Sequence, residues 1–126
     1  MAADVLVVED DPLGRNLICE VLRHDGHRPI EASDGLEALQ LVRTQRFNLV
    51  IADFVMPKLD GLKLVAQLHS ISPRMPVIFI SGYMSADSGQ KILQDTAQFL
   101  PKPFDLDVLR STVQRLLMSV LAVCFI

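Results

Sequence analysis

The chain has 126 residues, half of them hydrophobic and 21% charged, which suits one globular core and excludes a disordered segment. Its formal net charge of −3 gives no electrostatic basis for binding nucleic acid or an anionic membrane surface. No apolar run approaches the ~20 residues of a membrane-spanning helix, no basic leader precedes Asp4, and Cys19 and Cys124 fall in apolar helical patterns that suit reduced thiols of a cytoplasmic protein.

Residues 5–9 (VLVVE) are a short apolar run, read as a buried strand. Pro12 suits the first turn of a helix reaching about His24, with Leu13, Leu17, Ile18, Val21 and Leu22 on one face. Asp25-Gly26 ends it, and "HRPIEA" follows as a weak strand that Pro29 assigns to a sheet edge. "SDGLEALQLVRTQ" is a helix capped by Ser33 or Asp34, and "FNLVIAD" a strongly apolar strand ending in Asp53. "LDGLKLVAQLHS" reads as a helix and "MPVIFIS" as a strand ending in Ser81. Residues 84–96 make a poor helix, rich in Ser and Gly, expected to be short and mobile. "QFLP" is a short strand followed by Lys102-Pro103. The last helix, capped by Asp105, should turn Val108, Leu109 and Val113 to the sheet. Its end, residues 116–126 (LLMSVLAVCFI), has one polar residue in eleven, so apolar groups lie all round it. That end is read as a self-association or docking surface, anchored by Phe125 and Ile126.

Strict alternation of strands and helices, with continuously apolar strands, predicts an α/β fold: a parallel sheet covered by helices on both faces. Ligands of such sheets bind beyond the carboxyl ends of the strands. Glu9 and Asp10 stand at the end of the first strand, Asp53 and Ser81 end two others, and Lys102 follows the last. A parallel sheet brings these groups to one edge. Three carboxylates so close repel one another, and the repulsion is tolerated if a hard divalent cation sits among them; Mg²⁺ suits an all-oxygen site. An aspartate can accept a phosphoryl group as an acyl phosphate, with a cation, an ammonium and a hydroxyl neutralising its oxygens. His24, His27 and His69 belong to no ligand pattern and are expected at the surface.

"VLVVEDDP" (5–12), "ADFVMPKLDG" (52–61), "ISG" (80–82) and "LPKPF" (100–104), in this order and spacing, resemble the receiver domain of two-component response regulators across essentially the whole chain, residues 1–126. "ISGY" and "FLPKPFD" look more like receivers of hybrid histidine kinases than like those of transcription factors. The resemblance implies a chemotaxis-regulator-like, flavodoxin-like (βα)5 three-layer sandwich with strand order 2-1-3-4-5. It implies Asp53 as phosphoacceptor, Lys102 as phosphate-binding lysine and Ser81 as switch hydroxyl. It implies Mg²⁺ held by Asp10, Asp53, the Val55 carbonyl and, through water, Glu9, with Phe99 at the aromatic switch position. Asp11 falls one place beyond the acidic pair and is read as a helix N-terminal residue. The implied function is a signalling switch that takes its phosphoryl group from a histidine kinase or phosphotransfer protein and catalyses only its own modification and hydrolysis.

Two other classes compete. A pseudo-receiver would be an interaction module that takes no phosphate, and the complete set Asp10, Asp53, Ser81 and Lys102 argues against it. An aspartate-nucleophile phosphatase would resemble Asp-x-Asp at the nucleophile, and "DFVMP" lacks the second acid. With no DNA-binding region following, the chain is expected to be a stand-alone regulator or an excised receiver. Val55 and Tyr83, two residues after Asp53 and Ser81, are apolar and aromatic and are expected to slow hydrolysis of the phosphorylated form.

Overall fold

The computed structural model describes residues 2–54, 61–82 and 98–124, with side chains as far as Met118. Strands β1 (Asp4–Val8), β2 (Arg28–Ala32), β3 (Leu49–Asp53), β4 (Val77–Ser81) and β5 (Gln98–Pro101) form one parallel sheet in the order β2-β1-β3-β4-β5. Helices α1 (Pro12–His24), α2 (Gly35–Thr44), α3 (Gly61–Ile71) and α4 (Leu106–Cys124) are the helices among the described residues. The expected fold is therefore present, and Pro29 lies on an edge strand, where its missing N–H removes no ladder bond.

The strands are apolar on both sides because both sides are covered. Leu6, Val8, Val50, Ala52, Val77, Phe79 and Phe99 pack with α2 and α3 residues such as Leu39, Leu64 and Leu68. The alternate residues Val5, Val7, Leu49, Ile51, Ile78, Ile80 and Leu100 pack with Ile18, Cys19 and Leu22 of α1 and with Leu109, Val113 and Leu117 of α4. Each large side chain so buried contributes about 1.5–3 kcal/mol relative to exposure.

Local chemistry sets the helix ends. Asp11 caps α1, its carboxylate accepting from the Leu13 amide, which is the helix-terminal place expected of it. Gly26, at φ 86°, reverses the chain after α1 in a conformation that a side chain would strain. Of the two candidate caps of α2 it is Asp34 that accepts from Glu37 N. Asp105 accepts from the Asp107 amide at the start of α4.

Three expectations are corrected. Leu13 and Leu17 are 81% and 46% exposed rather than part of the buried face of α1. At about 100° per residue, the arc set by Ile18, Cys19 and Leu22 leaves both leucines on the far side. Val108 is likewise exposed, and Thr112 takes a buried place beside Leu109 and Val113, its hydroxyl donating to the Val108 carbonyl. His27 and His69 are half-buried and bonded: the Ala3 amide donates to His27 Nδ1, and His69 Nε2 lies 3.0 Å from the Met75 carbonyl. The helix expected at 84–96, the Val55 and Tyr83 positions, and the anchors Phe125 and Ile126 lie outside the described residues.

Candidate functional site

Strand register decides which side chains meet. Val8 pairs with Ala52, Asp53 with Ile80, and Ser81 with Pro101. Glu9, Asp53 and Lys102 thus stand at or one step past the ends of three strands. All three continue the alternation of the face covered by α1 and α4, where Val7, Ile51 and Leu100 precede them by two residues. The apolar layer ends there and a polar layer replaces it.

In that layer the Lys102 ammonium lies 3.3 Å from Glu9 Oε2 and 3.4 Å from Asp53 Oδ2. Glu9 is 2% exposed, an unusual place for a carboxylate, and its second oxygen accepts from the Asp11 amide at 3.1 Å. Burial pushes the Glu9 carboxyl above the usual carboxylate range; the Asp11 amide works against that rise and the charge of Asp53 adds to it. For Lys102, burial works to lower the ammonium's pKa, and attraction to Asp53 and Glu9 outweighs it, leaving a net upward shift. Asp10 is exposed at the mouth. One carboxylate oxygen from each of Glu9, Asp10 and Asp53 lies within 4.8 Å of the others. Such an all-oxygen, partly buried set, with Lys102 the one ammonium beside it among the described residues, fits a hard divalent cation of the Mg²⁺ type.

Ser81 is fully buried at the end of β4, and its carbonyl accepts from the Lys102 amide at 2.7 Å, tying the two candidate residues together. The Lys102–Pro103 peptide is cis. Phe99 is buried in the other layer, its ring edge-on to Phe54 with centroids 6.0 Å apart; Phe54 meets Phe79 in the same way at 5.3 Å. The structure therefore brings together Glu9, Asp10, Asp53 and Lys102 and sets Ser81 beside them, while Phe99 stands one layer away. Among the described residues, no buried side-chain nitrogen or oxygen lacks a hydrogen-bond partner.

Two residues of the site were not singled out from the sequence. Gly61 donates its amide to the Phe54 carbonyl at 2.9 Å, bringing the start of α3 against the residue that follows Asp53. A Cβ there would stand 2.5 Å from the Phe54 ring, so the approach admits only glycine. Arg15 reaches under the acidic turn and donates to the Glu9 carbonyl at 2.7 Å. Its signal was available in the helical period, which places position 15 on the sheet-facing arc of α1.

The chain matches the model of the family described as "Response regulator receiver domain" over residues 5–114. The transcriptional regulatory protein ZraR of Klebsiella oxytoca is 35% identical over 115 residues, which make up 90% of this chain and 26% of that protein. The sensor kinase CckA of Brucella abortus (strain 2308) is 35% identical over 119 residues, 92% of this chain and 13% of that protein. The chain thus spans about a quarter of the first relative and less of the second. The receiver domain of the Francisella response regulator 1452 is 31% identical and superposes with a TM-score of 0.86, over 94% of this chain and 98% of that one.

Proposed function

The chain belongs to the response regulator receiver domains, and from that premise we propose that it is a phosphoacceptor switch with Asp53 as acceptor, assisted by Mg²⁺. The observation that carries the reading is the convergence at one sheet edge of the Glu9, Asp10 and Asp53 carboxylates with the Lys102 ammonium 3.4 Å from Asp53. The donor is a phosphohistidine of a histidine kinase or phosphotransfer protein, in keeping with a relative that is itself named a sensor kinase.

In this reading an Asp53 oxygen attacks the phosphorus in line with the departing imidazole nitrogen. The P–N bond breaks as the P–O bond forms, and the donor ring, already protonated on its other nitrogen, leaves as neutral imidazole. Lys102 is already beside the attacking carboxylate and takes one phosphoryl oxygen as its charge grows; the Ser81 hydroxyl serves another. Asp10 and Asp53, with the Val55 carbonyl and, through water, Glu9, would hold a divalent cation, which would neutralise the remaining charge. Water later hydrolyses the acyl phosphate, so the protein acts on itself and is not a turnover enzyme. Phosphorylation is read out by Ser81 and Phe99 as a switching pair. The apolar end of α4, where Met118 is 61% exposed, supports self-association of the phosphorylated or free chain.

Intact-mass measurement after treatment with acetyl phosphate tests the proposal. A gain of one phosphoryl group with Mg²⁺, absent without it and absent in Asp53→Asn, supports it. No gain in the wild type makes the chain a pseudo-receiver, and continuous consumption of donor makes it a phosphatase.

A further inference from the structure

Arg15 occupies a place that helices of this kind give to apolar residues. At about 100° per residue it falls within the arc of Ile18, Cys19 and Leu22 that faces the sheet. A guanidinium is costly there unless its donors are used. They are used: Nη1 donates to the Glu9 carbonyl at 2.7 Å, and Nε lies 3.3 Å from Oε1 of Glu31 on β2, with the Arg15 side chain 20% exposed. The β1 ladder ends at Val8, paired with Ala32 on one side and Ala52 on the other. The Glu9 carbonyl is therefore past the last ladder pairing. That carbonyl belongs to the planar peptide unit joining Glu9 to Asp10, so fixing its oxygen fixes the plane from which both side chains leave.

We propose that Arg15 is a positioning residue for the cation-holding carboxylates: it clamps the Glu9–Asp10 peptide, and Glu31 steadies the clamp from the neighbouring strand. The inference rests on the reading of the acidic cluster as a cation site. Arg15 touches neither cation nor phosphoryl group; it acts through Glu9 and Asp10. Its charge alone would have the opposite effect, because a guanidinium near the cluster repels a cation. The two roles thus differ in sign.

The test is titration calorimetry of Mg²⁺ into the wild type, Arg15→Ala, Arg15→Lys and Glu31→Gln, with urea unfolding of each metal-free protein. Positioning predicts affinity about tenfold weaker in Arg15→Ala. Arg15→Lys recovers part of the loss, because an ammonium reaches the carbonyl without bridging to Glu31, and Glu31→Gln shows a smaller loss than Arg15→Ala. Phosphorylation of Arg15→Ala by acetyl phosphate returns to within about twofold of wild type once Mg²⁺ is saturating, since only ligand placement was lost. Affinity in Arg15→Ala equal to or tighter than wild type overturns the proposal, as does a phosphorylation rate that stays low at saturating Mg²⁺. Should Arg15→Ala fail to fold, unchanged affinity in both Arg15→Lys and Glu31→Gln overturns it equally. A wild type that binds no Mg²⁺ overturns the cation reading itself, and the positioning role with it, so the two failures are told apart.

Discussion

The ammonium of Lys102 stands 3.3 Å from the carboxylate of Glu9, a residue 2% exposed, and so holds a negative charge in a place that water hardly reaches. Removing one partner of such a pair leaves the other uncompensated. Lys102→Met is expected to lower metal-free stability by about 1–3 kcal/mol, less than for a fully buried pair because Lys102 is itself partly exposed. Urea unfolding checks this, and Mg²⁺ should restore part of the loss in the variant. Equal midpoints for variant and wild type without metal would show that the pair contributes nothing.

Asp10 gives the opposite expectation. It is exposed and repels its neighbours, so Asp10→Asn should leave metal-free stability within about 0.5 kcal/mol of wild type or raise it, while weakening Mg²⁺ binding. Thermal melts with and without Mg²⁺ separate the two effects. A large loss of stability without metal would assign Asp10 to the fold and not to the cation.

Gly61→Ala places a methyl group 2.5 Å from the Phe54 ring and 2.9 Å from the Phe54 carbonyl. The better helix propensity of alanine, about 1 kcal/mol, works against a steric cost of about 1–3 kcal/mol. The backbone carbonyl cannot swing aside as a side chain can, so a net loss is expected. Because Phe54 follows Asp53 directly, slower phosphorylation should accompany it. A variant as stable as wild type would mean that the contact between Gly61 and Phe54 relaxes freely.

Leu109 and Val108 are neighbours with opposite fates. Leu109→Ala removes a fully buried side chain and should cost about 2–5 kcal/mol, whereas Val108→Ala, at an exposed site, should stay within about 0.5 kcal/mol. Urea midpoints for the two would report directly which face of α4 meets the sheet; similar losses would contradict the assignment.

Burial pushes the Cys19 thiol up to about 11, with the charge of Glu31 adding to the shift. At pH 8 the native thiolate should be about a hundredfold scarcer than in the unfolded chain, so alkylation by iodoacetamide should be slow until urea exposes the residue. Peptide mapping distinguishes it from Cys124. The same shift makes stability fall with rising pH: between 9.0 and about 11 the unfolded chain loses this proton while the folded one keeps it. Cys19→Ala should remove that part of the decline. Rapid native alkylation at pH 8 would contradict the burial.

Deleting residues 118–126 should lower the solution mass measured by light scattering if the apolar end of α4 joins two chains. A full-length protein already monomeric at high concentration would exclude that role.

Alternation of apolar runs and helical periods was enough to determine the α/β class, because a strand buried on both faces has no polar side to show and only a parallel, doubly covered sheet buries it so. Their places at strand ends picked out Asp10, Asp53, Ser81 and Lys102, and the resemblance of four short motifs then supplied the strand order and the role of each. What the pattern could not supply was distance. Three strand registers decided that the Lys102 ammonium bridges Glu9 and Asp53, and register is a long-range pairing that no local run encodes. Rotation of α1 about its axis, set by which side chains the sheet can bury, turned Leu13 and Leu17 outward and Arg15 inward. Gly61 was legible only as a residue at the start of a helix and became a requirement where its amide meets Phe54. Composition and period say which residues a fold must bury; the partners they meet there are chosen by packing between segments far apart in the chain.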